Sequence, residues 1–233
     1  KSEEKKSEEK KGDEKLKISV FDLQGKLVRN FSSELKDGVN RISWNCDVNR
    51  VRFPSRTEPK PDEDLPGGYK VLPGKYKMLF QLGKWKDSVT VEVKADPFTP
   101  PRQADLLNTM KWAEELQGLV KSASESFTRI RKAKETIALV EKLIANQKDT
   151  VKKEMGKMHK TLSQQLDSLV DLFMQKEDVK GIQRNPKELN SILGTAGYYI
   201  DASWNDPGEN VKIAMDNARM KTKEVTTNVD DWF

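Results

Sequence analysis

The chain has 233 residues, 34% of them charged and 35% hydrophobic, which leaves room for two modest domains and suits long solvated helices better than a compact enzyme. The net charge of +5 is spread along the chain, with 6 Lys against 6 acids over residues 1–15, 15 Lys/Arg against 11 Asp/Glu over 16–101, and 21 against 20 over 102–233. At that grain no concentrated basic face is offered to nucleic acid, the single cysteine Cys46 excludes an intrachain disulfide, and no run of about 18 apolar residues is present to span a membrane.

Residues 1–15, KSEEKKSEEKKGDEK, mix charges without an apolar residue and cannot bury enough surface to offset ordering. They read as a linker or loop, and the chain as a piece of a longer polypeptide. From Leu16 the hydrophobic period is two. LKISVF (16–21) and KLVRNF (26–31) form an expected hairpin around Asp22–Gly25. VNRISW (39–44) is the next expected strand, entered through Asp37-Gly38. Residues 45–73, with five prolines and the pair Gly67-Gly68, are expected to be a long loop without a continuous element. KYKMLFQL (75–82) and SVTVEV (88–93) close the set, joined by a turn over Gly83–Asp87 that carries Trp85. Short strands so closely spaced predict an antiparallel β-sandwich over 16–96.

Asp96-Pro97 and Pro100-Pro101 stop the sheet and stiffen a joint over 97–101. After Arg102 the period becomes helical. Leu106, Met110, Ala113, Leu116, Val120, Ala123, Phe127, Ile130, Ala133, Ile137, Val140 and Ile144 make one stripe on a helix of roughly forty residues. A second stripe runs Val151, Met155, Met158, Leu162, Leu166, Leu169, Phe173. Gly181 and Asn185-Pro186 interrupt it, and Pro186 suits the first turn of a third helix carrying Leu189, Leu193, Ala196, Ile200 and Trp204. Asp206-Pro207-Gly208 breaks again before Val211, Ala214, Ala218, Val225 and Val229. Short breaks between amphipathic helices predict antiparallel neighbours, hence a bundle of about four helices over 102–233.

The segments FDLQGKLVRNF (21–31), LKDGVNRISWN (35–45), LPGKYKMLFQLGK (72–84) and VTVEVKADP (89–97) resemble an Ig-like domain of the type named after the flagellar hook-capping protein. Together with the Asp96-Pro97 exit and YYIDASWNDP (198–207), the chain from residue 16 on is similar to the C-terminal region of bacterial Asp-box (BNR) proteins. These are sortilin-like propellers often labelled glycosyl hydrolases. The resemblance implies a multidomain α and β protein, an Ig-like sandwich followed by a helical bundle, and an extracytoplasmic location. It also implies a β-propeller upstream in the same polypeptide as partner. No S-x-D-x-G-x-T-W Asp-box is present, so the part of the family that would hold an active site lies elsewhere. The long loop over 45–73 departs from the short acidic-glycine turn of the hook-capping type.

Candidate chemistry is sparse, and neither a cofactor nor a metal is expected. His159 is the lone histidine and Cys46 the lone cysteine, each without partners in sequence for a metal or an activated thiolate. Asp62, Glu63 and Asp64 could supply a carboxylate pair, but Pro and Gly around them give no apolar wall to raise a pKa. Asp22 is expected to cap its own turn. Trp44 reads as core. Trp85 and Phe98 are expected to bury themselves beside the helices, since an indole covers much surface. Tyr198, Tyr199 and Trp204 fit the core and rim of the third helix. The expected function is a non-catalytic structural or interaction module of the larger protein. The alternatives are carbohydrate binding through Trp85 and Tyr69, or a contribution to a glycosidase site formed with the propeller.

Overall fold

The computed structural model describes residues 15–98, 100–144, 149–176, 185–202 and 207–233. The expectations for the charged stretch 1–14, for Gly181 and for Trp204 fall outside the described residues. Among the described residues the fold is mixed: six strands, β1 (Leu16–Phe21), β2 (Leu27–Ser33), β3 (Asp47–Asn49), β4 (Gly67–Lys70), β5 (Gly74–Leu82) and β6 (Trp85–Val93), precede four helices, α1 (Gln103–Ile144), α2 (Asp149–Phe173), α3 (Leu189–Asp201) and α4 (Glu209–Trp232). The chain divides into two compact units. One comprises the residues up to Arg50 with Asp62–Ala95, the other Val51–Pro61 with Asp96–Phe233. The expected single stretch 16–96 is therefore interrupted.

In the β unit an antiparallel sheet runs β2-β1-β5-β6. Its centre is β1, whose Leu16, Ile18 and Val20 are buried while the residues between them are more exposed, the period-two pattern of a strand covered on one face. The hairpin into β2 closes as expected. Gly25 takes φ +82°, and the Asp22 carboxylate accepts from the amides of Gln24 (3.0 Å) and Lys26 (2.8 Å). Residues 39–44 do not form the expected strand. The Asn40 side chain engages Lys36 instead, accepting from its amide at 2.9 Å and donating to its carbonyl at 2.8 Å, so a local loop replaces ladder pairing. The segment still delivers Ile42 and Trp44 to the core, with Trp44 edge-on to Tyr76 at 5.5 Å.

The stretch expected to be irregular instead supplies the two-stranded sheet β3–β4, prolonged by Arg50 N–H to Pro66 C=O and Val71 N–H to Cys46 C=O. Composition hid it because the prolines fall outside the paired residues, while the glycine pair is needed inside them. A Cβ at position 67 would lie 2.0 Å from the Asp47 carboxylate, far inside contact distance. Arg29 of β2 links the two sheets: its guanidinium lies 3.5 Å from Asp47 and donates to Asn49 Oδ1 (3.0 Å) and the carbonyls of Leu65 (2.8 Å) and Pro66 (3.1 Å). Asn49 also accepts from the Asn30 amide, and Asp64 from the amide and hydroxyl of Ser32. The outer edge of β2 is thereby covered by side chains, one of the ways a sheet avoids a bare edge.

In the helical unit the expected stripe is buried along the middle of α1, from Ala113 to Ile130, and on α2 from Leu166 to Phe173, and contacts fix the helix directions. Lys134 pairs with Asp167, His159 lies 3.7 Å from Glu141, and Phe127 meets Phe173 edge-on at 5.2 Å, so α2 runs antiparallel to α1. Glu115 binds Arg219 and Arg129 binds Asp230, so α4 runs parallel to α1. An alternating four-helix bundle would make them antiparallel. The reason is that α2 and the 13-residue α3 share one descending leg: α2 ends level with Phe127, and α3 sits lower, where Gly197 approaches Leu116. Leu166, Phe173, Leu189, Leu193, Met215, Val225 and Val229 are fully buried here. Residues 51–61 cross the helices as an extended strap. Gln117 accepts from Val51 N–H, Ser124 donates to Arg52 C=O, Asn190 donates to Pro54 C=O, and Arg56 donates to Gln175 C=O.

Candidate functional site

Strand register defines which side chains of the four-stranded sheet share a face. Residues directly opposite in an antiparallel pair lie on the same side, and so do alternate residues along a strand. Ile18 opposes Phe80 and Val20 opposes Met78, while Tyr76, Met78 and Leu82 oppose Val91, Val89 and Trp85. The core face therefore continues across β5, through Leu82, onto β6 as Trp85, Asp87, Val89, Val91 and Val93. Its lower end is packed, with Tyr76 buried and Val91 and Val93 partly buried against the core. The upper end is open: Trp85 is 54% exposed and Val89 47%. The outer edge of β6, nine residues long, has no strand partner among the described residues.

Trp85 accordingly belongs to β6, not to a turn. The connection is only Gly83-Lys84, with Gly83 at φ +54°, the left-handed backbone a two-residue hairpin demands. Phe98 is 92% exposed just beyond an Asp96-capped turn. Tyr69 lies half-buried on β4, in the two-stranded sheet, and shares no register row with Trp85. The three residues singled out from sequence are thus not gathered into one site. Trp85 has Leu82 opposite it and exposed Asp87 next along its own face, beside an unpaired strand edge, an arrangement able to take an extended segment.

The remaining candidates have local roles. Trp44 donates to the Asp47 carbonyl at 3.0 Å, and Cys46 stands at φ 53° at the entry to β3. Tyr76 donates to Leu72 C=O at 2.7 Å. Burial first, then the Asp22 carboxylate and Cys46, raise its phenol above the ordinary value. Arg219 is held protonated chiefly by its hydrogen bonds to Glu115, with Asp216 adding to them. Tyr198, expected in the core or rim of α3, is 70% exposed. Among the described residues no group of three or more His, Cys, Asp or Glu stands close enough to hold a metal, and no helix is long and apolar enough to cross a membrane.

Two features escaped the linear reading. One is Arg29, whose role needs the fold of 45–73. The other is that Met155 and Met158, placed in the buried stripe of α2, are 40% and 69% exposed, as are Leu139 (61%) and Leu143 (67%) on α1. No protein-family model, curated protein or solved structure matches the chain.

Proposed function

We propose that the chain is a non-catalytic interaction module of a larger protein, docking through the open upper end of its β sheet. The observation that carries this reading is Trp85. It is the residue a folded core would most readily cover, yet it stands half-exposed at the start of a nine-residue edge strand that has no outer strand partner among the described residues. Large exposed apolar side chains grouped at an edge are the usual mark of a partner surface. In this reading the two sheets form a small Ig-like sandwich, as the packing of Ile42, Trp44 and Val71 against the β1 core suggests, and the helices an accessory bundle. The family resemblance supplies the partner, an upstream β-propeller of an extracytoplasmic protein.

Amide exchange over residues 85–93, compared between this chain and a longer polypeptide carrying the upstream region, tests the proposal. Slower exchange along β6 in the longer protein is the expected result, and unchanged exchange overturns it. An upstream sequence without propeller repeats overturns the family part alone.

The exposed indole also favours a second reading, carbohydrate binding, because sugars stack on such rings. A glycan array probed with the chain and with Trp85→Ala separates the two. Retention of a glycan that is lost in the variant makes sugar recognition the function, and no retention leaves protein docking. Trp85→Ala is expected to shift unfolding by less than about 1 kcal/mol, as for an exposed residue.

A further inference from the structure

The four-stranded sheet has two outer edges. That of β2 is covered by the side chains of Asn49 and Asp64, whereas that of β6 has no strand partner among the described residues. Which backbone groups of β6 face outward follows from its pairing with β5. Leu82 and Trp85 face each other across a two-residue hairpin loop, so they form a hydrogen-bonded pair, and such pairs recur at every second residue. Trp85, Asp87, Val89, Val91 and Val93 thus turn their N–H and C=O groups to β5, and Lys86, Ser88, Thr90 and Glu92 turn theirs outward. The Ser88 N–H agrees with this: it donates to the Asp87 carboxylate at 2.7 Å.

The sequence of β6 is complementary to itself read backwards. When two copies of β6 lie antiparallel about a two-fold axis at Val89, the outward-facing residues meet in hydrogen-bonded pairs. Lys86 then faces Glu92 of the second copy at both ends, and Ser88 faces Thr90 between them. Val89 meets Val89 in the closer, non-hydrogen-bonded position, and Trp85 meets Val93. Trp85 and Val89, 54% and 47% exposed on the core face of β6, both gain apolar neighbours. A shift of two residues one way sets Lys86 against Lys94; the other way it runs Val93 past the strand to Gly83. A shift of one residue sets outward-facing residues opposite inward-facing ones and breaks the ladder.

We infer that β6 pairs with β6 of a second copy of this chain, joining two four-stranded sheets into one continuous sheet. The inference rests on the reading of β6 as a docking edge and gives that edge an occupant of its own kind. Four hydrogen-bonded pairs supply about eight backbone bonds, and the two Lys86–Glu92 pairs fix the register. On pairing, the Ser88 N–H exchanges the Asp87 carboxylate for the Thr90 carbonyl of the second copy. An interface made of one strand belongs to the weak end of the size range, so the chain exchanges between one copy and two.

Sedimentation velocity of the intact chain over about 1–500 µM tests this, since a small interface dissociates in that range. The expected result is a mass that doubles with concentration, with amide exchange over residues 86–92 slowing in step. Lys86→Glu sets acids against acids at both ends, and Glu92→Lys sets lysines against lysines. Each variant alone should therefore dimerise at least about tenfold more weakly. Both positions are exposed, so each variant should keep the parent's circular dichroism. Mixed together, the two variants restore an opposite-charge pair at each end and should form a mixed dimer about as tight as the parent's, a recovery that misfolding does not produce. A mass constant over the range overturns the inference. So does a dimer whose β6 amides exchange as fast as the monomer's, or a mixture that associates no better than its components. In the longer polypeptide, a monomer with slowed β6 exchange means that an upstream segment holds the edge, which overturns the pairing and leaves the docking reading standing.

Discussion

Replacing Arg29 by alanine should destabilise the β unit more than any other single charge deletion in it. The guanidinium and the Asp47 carboxylate are only 12% and 11% exposed, and Arg29 also satisfies the carbonyls of Leu65 and Pro66. Removing it leaves a nearly buried carboxylate without its cation. Breaking such a pair from one side costs about 3–5 kcal/mol, because the remaining charge stays desolvated. That is a large share of the roughly 5–15 kcal/mol by which a domain is stable. Urea unfolding followed by near-ultraviolet circular dichroism measures the total. Amide exchange at Arg50 and Val71, whose N–H groups bond Pro66 and Cys46, reports the β3–β4 pair itself and should quicken first. Arg29→Met with Asp47→Leu should recover much of the loss, since an apolar pair carries no desolvation penalty. A loss below about 1 kcal/mol for Arg29→Ala would show that water reaches Asp47, and a double variant as unstable as the single one would show that the hydrogen bonds, not the ion pair, hold the sheets together.

Gly67→Ala should cost about 2 kcal/mol or more, read as a lower urea midpoint at unchanged slope, because its Cβ would meet Asp47 Oδ2 at 2.0 Å. Tyr76→Phe should cost about 1 kcal/mol at neutral pH through the lost bond to Leu72. Its pH dependence follows from the raised phenol pKa. Below the unfolded value near 10 both states keep the proton and the stabilisation is whole. As pH rises through the folded value it drains away, since the unfolded chain has already ionised. The phenylalanine variant should lack that alkaline loss in melts from neutral pH to above 10. Phe173→Ala empties a fully buried site facing Phe127 and should cost about 3–5 kcal/mol, with helix content and melting temperature falling together.

Apolar periodicity along the chain was enough to locate β1, β2, β5, β6 and all four helices, because a strand or helix writes its covered face into its own residues. It was also enough to place Ile18, Leu166 and Val225 in cores. It could not tell whether a partner reaches that face. Ile42 and Trp44 alternate like a strand, yet Asn40 turns the backbone away from a ladder. Asp47–Asn49 and Gly67–Lys70 carry no strand-like stripe, yet pair because Gly67 makes room for Asp47 and Arg29 neutralises it. Met155 and Met158 continue the stripe of α2, but α4 stops short of them, so the same apolar pattern is core at Leu166 and surface at Met158. Sequence thus determines which faces must be covered; the tertiary structure alone decides which of them are, because coverage depends on where unrelated parts of the chain end.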